Sequence, residues 1–327
     1  MRAAIINQLG VSPSEGEHPA PVRSSGHTLI EVLAAPLNPV DIAVGSGRFF
    51  AGNPDAPYVP CVEAVGRVVE SDSFAVGSLI YAGMEGMGLT RDGGGGELAL
   101  ASDDGSVELP PGTDPAVAGS LGVAGLAAWL PLAWRAPVQE GETVLILGAT
   151  GTLGLIAVQA AKLLGAGRVV AAGRRPEGLA RAAAHGADAT VQIDTFGTDA
   201  PQTLTEALAE ACGGEGPSLV IDPLWGEPFV AALGAAAPGA RFVQLGQSAG
   251  PEAVVASGLV RGKAVDILGF TNFKVPRDVL NAALLTLVEH AAAGRIEFDI
   301  ERVPLAQVGA AWDRQASGVD TKLVLVP

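Results

Sequence analysis

A chain of 327 residues that is 48% hydrophobic is long enough for two ordinary domains and a substantial core. Its 35 Asp and Glu against 20 Lys and Arg leave a net charge of −15, which argues against the basic face that nucleic-acid binding needs. Cys61 and Cys212 are the only cysteines, so there is no disulfide framework; this usage fits a reducing, cytoplasmic compartment, and the start MRAAIINQLG has no apolar signal core.

Residues 1–6 and 27–35 read as strands, the second rich in β-branched and apolar side chains. Pro36-Leu-Asn-Pro39 breaks the pattern, and 40–44 starts a short helix. Strands follow at 62–70, 76–81 and 97–101, separated by breaks at 57–60 and by the glycine run 93–96. Short strands between Gly and Pro turns, with little helix, predict a compact β-rich domain. Residues 116–134 are helical in composition and bridge to a second texture. From 143 onward, strands at 143–147, 168–172, 189–193, 218–222, 241–246 and 264–269 alternate with helices. The helices fall near 152–165, 176–185, 201–212, 226–236 and 254–262. Six strands with intervening helices predict a doubly wound parallel sheet. A long helix at 276–294, a strand at 296–303, a helix at 305–317 and a strand at 322–326 complete the chain.

Two uncharged stretches, 115–134 and 143–161, reach membrane-spanning length. Gly119, Gly122, Gly125 and Pro131 interrupt the first, and a glycine turn interrupts the second. Both read as buried soluble structure, so no membrane partner is expected.

The stretch 142–175 organises the rest. An apolar strand, 143–147, runs into Gly148-Ala-Thr-Gly151-Thr-Leu-Gly154, then an apolar helical pattern, then a second apolar strand. Strand, glycine turn, helix and strand within about thirty residues form the context of a dinucleotide site. Gly148 and Gly151 permit a tight turn and close approach to a pyrophosphate. Gly154 brings the helix close to the strand, and the helix N-terminus offers partial positive charge. After the second strand, where an NAD site places a carboxylate, stand Gly173, Arg174 and Arg175. Two guanidiniums suit a 2′-phosphate and favour NADPH; the plain alternative is a pair of exposed loop charges.

The ordered set Asn38-Pro-Val-Asp41, Ser46-Gly47, Pro60-Cys-Val-Glu63-Ala-Val-Gly66, Gly93–Glu97, Gly122–Trp129, Gly148–Gly154, Gly246-Gln-Ser and Gly269-Phe-Thr spans nearly the whole chain. On these residues the chain resembles the medium-chain dehydrogenase/reductase superfamily, in its zinc-independent quinone oxidoreductase and enoyl reductase branch. The resemblance implies an α/β fold, with a GroES-like β-rich catalytic domain over 1–118 completed by about 277–327. It implies a Rossmann NADP-binding domain over 119–276, and a homodimer formed by edge pairing of the Rossmann sheets. At the branch's Pro-Gly-x-Glu motif Cys61 replaces a glycine. Phe49, beside Phe50, stands where relatives often place a Tyr.

Residue by residue, the catalytic candidates are Asn38, Asp41 and Phe49. Asn38 is the expected polar contact for substrate or nicotinamide ribose, and Asp41 either orients its neighbours or caps a helix. Cofactor candidates are Gly148, Thr150, Gly151, Thr152, Leu153 and Gly154 in the turn, and Gly173, Arg174 and Arg175 after the second strand. Later strand ends add Asp222, Leu224, Gly246, Gln247, Ser248, Phe270 and Asn272. For Phe270 and Phe273 packing is the equal alternative, and Tyr58 and Tyr81 read as structural. Two separated cysteines and scattered His18, His27, His185 and His290 do not make a zinc cluster, so no metal is expected. Without a Lewis acid, hydride addition to a conjugated acceptor, a quinone or an α,β-unsaturated carbonyl, is the expected chemistry. The alternatives are a tailoring enoyl reductase acting on a specialised or carrier-bound metabolite, and a catalytically silent NADPH-binding sensor or structural protein.

Overall fold

The computed structural model describes residues 1–49, 51–193 and 200–327, so Phe50 lies outside the described residues. The chain divides into two compact units. One comprises Met1–Ala124, Val275–Ala293 and Asp299–Pro327; the other comprises Gly125–Lys274 and Gly294–Phe298.

The first unit is built on a seven-stranded sheet ordered Ile300–Pro304, Lys322–Val326, His27–Pro36, Glu63–Glu70, Leu79–Gly83 and Ser106–Glu108, with Leu98–Ser102 also pairing His27–Pro36. The alternation in His27–Pro36 sends Thr28, Ile30, Val32 and Ala34 inward, the period-2 pattern of a half-buried strand. Ile30, Leu37, Ile80, Leu323 and Leu325 are fully buried in one core cluster with Trp312. Each such side chain contributes roughly 1.5–3 kcal/mol by leaving water. The C-terminal strand enters beside His27–Pro36, with Leu325 opposite Ala35.

The second unit carries six parallel strands in the order Ala189–Gln192, Arg168–Gly173, Thr143–Leu147, Leu219–Asp222, Arg241–Gln244, Asp266–Gly269. The first three strands in the chain lie on one side of the sheet and the last three on the other. The order reverses between Thr143–Leu147 and Leu219–Asp222, the switch point outside which doubly wound sheets bind ligands. Phe229 packs edge-on against Phe242 at 5.5 Å and stacks on Trp225 at 4.2 Å, under the strands' carboxyl ends.

Several expected boundaries move, each for a local reason. The expected strand at 76–81 occupies Leu79–Gly83, because Gly77 takes φ +88° in a turn. The strand expected at 296–303 is confined to Ile300–Pro304, because the preceding residues join the second unit, where Gln159 accepts the Glu297 N–H at 2.8 Å. The helix expected from 254 begins at Ser257. Ser14–Glu17 and Ser106–Glu108 are strands without sequence warning: each is short, and the first is polar and largely exposed.

The bridging segment is helical from Pro115 to Arg135 but alternates between α and π turns, with π geometry at Leu121–Gly125 and Pro131–Arg135. By length and composition this run could cross a membrane, yet 72% of its most apolar window is buried inside the protein.

Candidate functional site

In the second unit, the turn after Thr143–Leu147 is shaped by glycine. Gly148 takes φ +66°, and a Cβ there would lie 3.2 Å from Pro223 and Leu224 across the switch point. A Cβ on Gly154 would strike the Gly148 carbonyl and lie 2.5 Å from Ala149, so only glycine lets the helix approach this closely. Gly151 is its N-cap and has no side chain to satisfy the first turn, leaving those N–H groups for an external anion. Thr152 and Leu153 begin Thr152–Leu163 half-buried, whereas Thr150 is buried.

Thr150 also fills the end of the second strand. A Cβ on Gly173 or Gly178 would lie 2.5 Å from its side chain. No carboxylate fits at 173, the position where a ribose-binding acid would stand. Arg174 is exposed and Arg175 half-buried, the latter as N-cap of Pro176–Ala184. Gln192 donates to the Arg174 carbonyl at 3.1 Å and ties the first loop residue to the neighbouring strand.

Across the switch point, Asp222 is fully buried. Its Oδ1 accepts the N–H groups of Leu224 and Trp225, both at 2.9 Å, while Oδ2 has no partner among the described residues. Burial pushes its carboxyl up to about 6, against the two backbone hydrogen bonds. Trp225 adopts φ 59°, ψ −161°, a region that favours glycine, held there by Asp222 and by its stack on Phe229. At the next strand end, Gly246 lies under the Pro223 carbonyl, which also accepts the Ser248 backbone and hydroxyl donors, each at 3.2 Å. Gln247 is exposed. Phe270 donates its N–H to Gln244 at 2.9 Å, and Asn272 is buried just beyond. The cofactor candidates thus sit together along the carboxyl edge of one parallel sheet. The turn and helix N-terminus fit a dinucleotide pyrophosphate, and the paired arginines fit a further phosphate.

The first unit holds a buried polar cluster around Asn38. Asp41, third in the helix Pro39–Gly45, accepts the Asn38 N–H at 2.7 Å with one oxygen and the Val62 N–H at 2.9 Å with the other. Both roles left open for Asp41, capping and orienting, are therefore filled at once. Asn38 donates to Glu63 at 2.7 Å and more weakly to the Pro36 carbonyl, while its oxygen accepts from Lys322 at 2.5 Å. Lys322 also donates to the Leu37 carbonyl at 2.9 Å. The second Glu63 oxygen accepts the Tyr81 hydroxyl at 2.9 Å and the Val123 N–H at 2.6 Å.

This arrangement corrects the expectation for Asn38. It is fully buried and both its amide protons are used within the protein, so it is an internal junction rather than a surface contact for substrate or nicotinamide ribose. Phe49 is half-buried and packs on the unit's core. Tyr81 is a buried partner of Glu63, and Tyr58 is buried with its hydroxyl unpartnered among the described residues.

Burial raises the Asp41 carboxyl to about 7 and raises Glu63 as well, while it lowers the Lys322 ammonium; the opposite charges resist each shift. Burial also lifts the Cys61 thiol well above its ordinary range. Glu63 and Lys322 escaped sequence reading as site residues. The available signal was a lysine, one of four in the chain, opening an apolar strand.

Among the described residues no group of three or more His, Cys, Asp or Glu is arranged to hold a metal ion. The cation beside Asn38 and Glu63 is an ammonium, and Cys61 stands in a left-handed turn, φ 79°. This donor set does not fit a zinc centre.

Two family models match the chain: "Alcohol dehydrogenase GroES-like domain" over residues 24–111 and "Zinc-binding dehydrogenase" over residues 152–289. The chain is 36% identical over 151 residues to a quinone oxidoreductase of Sus scrofa, covering 44% of each protein. It spans about half the length of the curated quinone oxidoreductases it matches. It is 27% identical over 311 residues, 91% of this chain, to 13% of a phenolphthiocerol/phthiocerol polyketide synthase polypeptide of Mycobacterium tuberculosis. In fold it superposes on the Escherichia coli quinone oxidoreductase complexed with NADPH with a TM-score of 0.87, over 100% of both chains at 20% identity.

Proposed function

From the premise that the chain belongs to the medium-chain dehydrogenase/reductase superfamily, in its quinone oxidoreductase branch, we propose that it is an NADPH-dependent reductase of quinones or α,β-unsaturated carbonyls that works without zinc. The observation that carries this reading is the Gly148–Gly154 turn opening onto a helix N-terminus, followed by Gly173, Arg174 and Arg175 where no acid fits. NADPH bound there would supply a hydride to the conjugated acceptor, at the β-carbon of an enone or to a quinone, with the electron pair moving to the carbonyl oxygen. Solvent delivers the balancing proton, at the α-carbon of the enone or the oxygen of the hydroquinone.

The chain's own groups divide that work. The backbone N–H groups of the turn and the helix start hold the pyrophosphate, and Arg174 and Arg175 bind the 2′-phosphate. Delocalised charge on a conjugated acceptor removes the need for a Lewis acid, which agrees with a donor set that does not suit zinc. The similarity to part of a polyketide synthase supports a second reading, an enoyl reductase acting on a carrier-bound or specialised metabolite. The exposed, unfilled edge of the parallel sheet at Asp266–Gly269 supports a homodimer.

The test is NADPH oxidation with 1,4-benzoquinone and with a 2-alkenal, in chelator, with NADH as the control. Turnover with NADPH that survives chelation is expected, and the two acceptors rank the substrate classes. Activity abolished by chelation defeats the zinc-free reading. Tight NADPH binding with no turnover on either acceptor moves the weight to a specialised substrate or a silent binding protein.

A further inference from the structure

The buried cluster in the first unit contains more charge than a core needs. Asp41, Glu63 and Lys322 are all within 4% of full burial. Lys322 makes no direct ion pair among the described salt bridges; instead it bonds the neutral Asn38 amide and the Leu37 carbonyl. This fixes which way the Asn38 amide points, with its oxygen toward the ammonium and its nitrogen toward Glu63. Asn38 in turn is the N-cap of Pro39–Gly45, the helix that leads into Ser46, Arg48 and Phe49. Glu63 extends the chain of contacts to Val123, inside the π turn Leu121–Gly125. A π turn displaces backbone N–H groups from the regular α pattern, and such turns recur at functional sites.

We propose that Lys322 is a positioning residue for hydride transfer: its buried ammonium fixes the Asn38 amide against Glu63, and through it the helix Pro39–Gly45 that leads to the catalytic candidate Phe49. The inference rests on the reductase reading above. The groups facing the ammonium are Glu63 from its strand, Asp41 from the helix and the Cys61 thiol from the turn. Tyr81 lies behind Glu63, and Tyr58 faces Asp41 and Cys61. Arg277 is the next cation, acting on Tyr81.

The test uses the full-length protein and three variants: Lys322→Met, which keeps the side-chain length without the charge, Lys322→Arg, and the double variant E63Q/K322M, which removes opposite charges together. Expected for Lys322→Met is a fall in kcat with 1,4-benzoquinone on the order of 10–100-fold at pH 8, the scale of a misplaced reacting group. Its NADPH Kd should stay within about twofold of the parent, and Lys322→Arg should recover part of the kcat. Burial already holds both carboxyls above their unfolded values, and removing the opposing ammonium raises them further. Stability is then present at low pH and lost as pH rises, so the Tm gap between Lys322→Met and the parent should widen from pH 6 to pH 8.

An unchanged kcat at pH 8 in Lys322→Met overturns the proposal. So does a Tm gap that is constant with pH while kcat and NADPH affinity fall together. If Lys322→Met does not fold, E63Q/K322M decides: low kcat with intact NADPH binding supports positioning, and full kcat overturns it. Should the parent turn over neither acceptor, the reductase reading fails, whereas the pH-dependent Tm gap still reports whether Lys322 holds the cluster.

Discussion

Gly173 and Thr150 approach so closely that a Cβ on the glycine would lie 2.5 Å from the threonine methyl. Glycine is therefore required at the end of the second parallel strand, and in the proposed NADPH reading selectivity passes to the next two residues. Arg174→Ala should raise the NADPH Kd by about 10–100-fold, the loss of a charged hydrogen bond worth about 1.5–3 kcal/mol, and leave the NADH Kd nearly unchanged. Fluorescence titration with both nucleotides reads this directly. Equal weakening of NADPH and NADH would remove Arg174 from 2′-phosphate recognition. Gly173→Asp should lower Tm and fail to create NADH preference, because its side chain has no room beside Thr150.

Asp222 makes stability depend on pH. Its carboxyl sits at about 6 in the folded protein, raised by burial, and near 3.9 in an unfolded chain. A raised folded value means that the stabilising protonated state is complete below about 4 and lost as pH climbs through 6. The shift of about two units corresponds to ~3 kcal/mol across that window. Asp222→Asn should abolish this share of the slope, so its Tm should change less between pH 4.5 and pH 7.5 than the parent's. An identical slope in the two proteins would show that Asp222 does not titrate in that range.

The parallel sheet was legible because its strands are buried on both faces and read as apolar runs, as at Thr143–Leu147 and Leu219–Asp222. The glycine turn was legible because each glycine has a steric reason that local spacing preserves. The Asn38 cluster was not. Lys322 and Asn38 are 284 residues apart, and no local pattern announces a hydrogen bond between them. Nor does an apolar helical composition disclose π turns: those at Leu121–Gly125 accompany a carboxylate from a strand sixty positions earlier.

Gly122 shows how tightly that carboxylate is enclosed. A Cβ there would overlap Glu63 Oε2 and the Tyr81 ring. Gly122→Ala should cost about 1–3 kcal/mol, the range for overpacking a core, measured by urea denaturation. Gly112→Ala is an instructive control: nothing lies within 4 Å of its Cβ, so its cost comes only from a backbone φ of +82°. Should Gly122→Ala prove as stable as the parent, the Glu63–Val123 contact is not a tight one.

Among the described residues, the edge strand Asp266–Gly269 pairs with Arg241–Gln244 on one side only. Around it apolar surface collects: Ile267 is 40% exposed and Phe273 37%, and the adjacent helix Ser257–Lys263 has no buried residue. An open strand edge with apolar side chains is a template for pairing, and soluble proteins ordinarily cover or charge it. A second copy covering this edge is the proposed homodimer. Light scattering after size exclusion should give twice the 32.8 kDa chain mass for the parent. Ile267→Lys, which places a charge on that edge, should shift the species toward the monomer at micromolar concentration. Val76→Lys, at an exposed valine of the other unit, should not. If Ile267→Lys leaves the dimer intact, pairing does not use this edge; a parent that runs as a monomer shows that the edge is left open in solution.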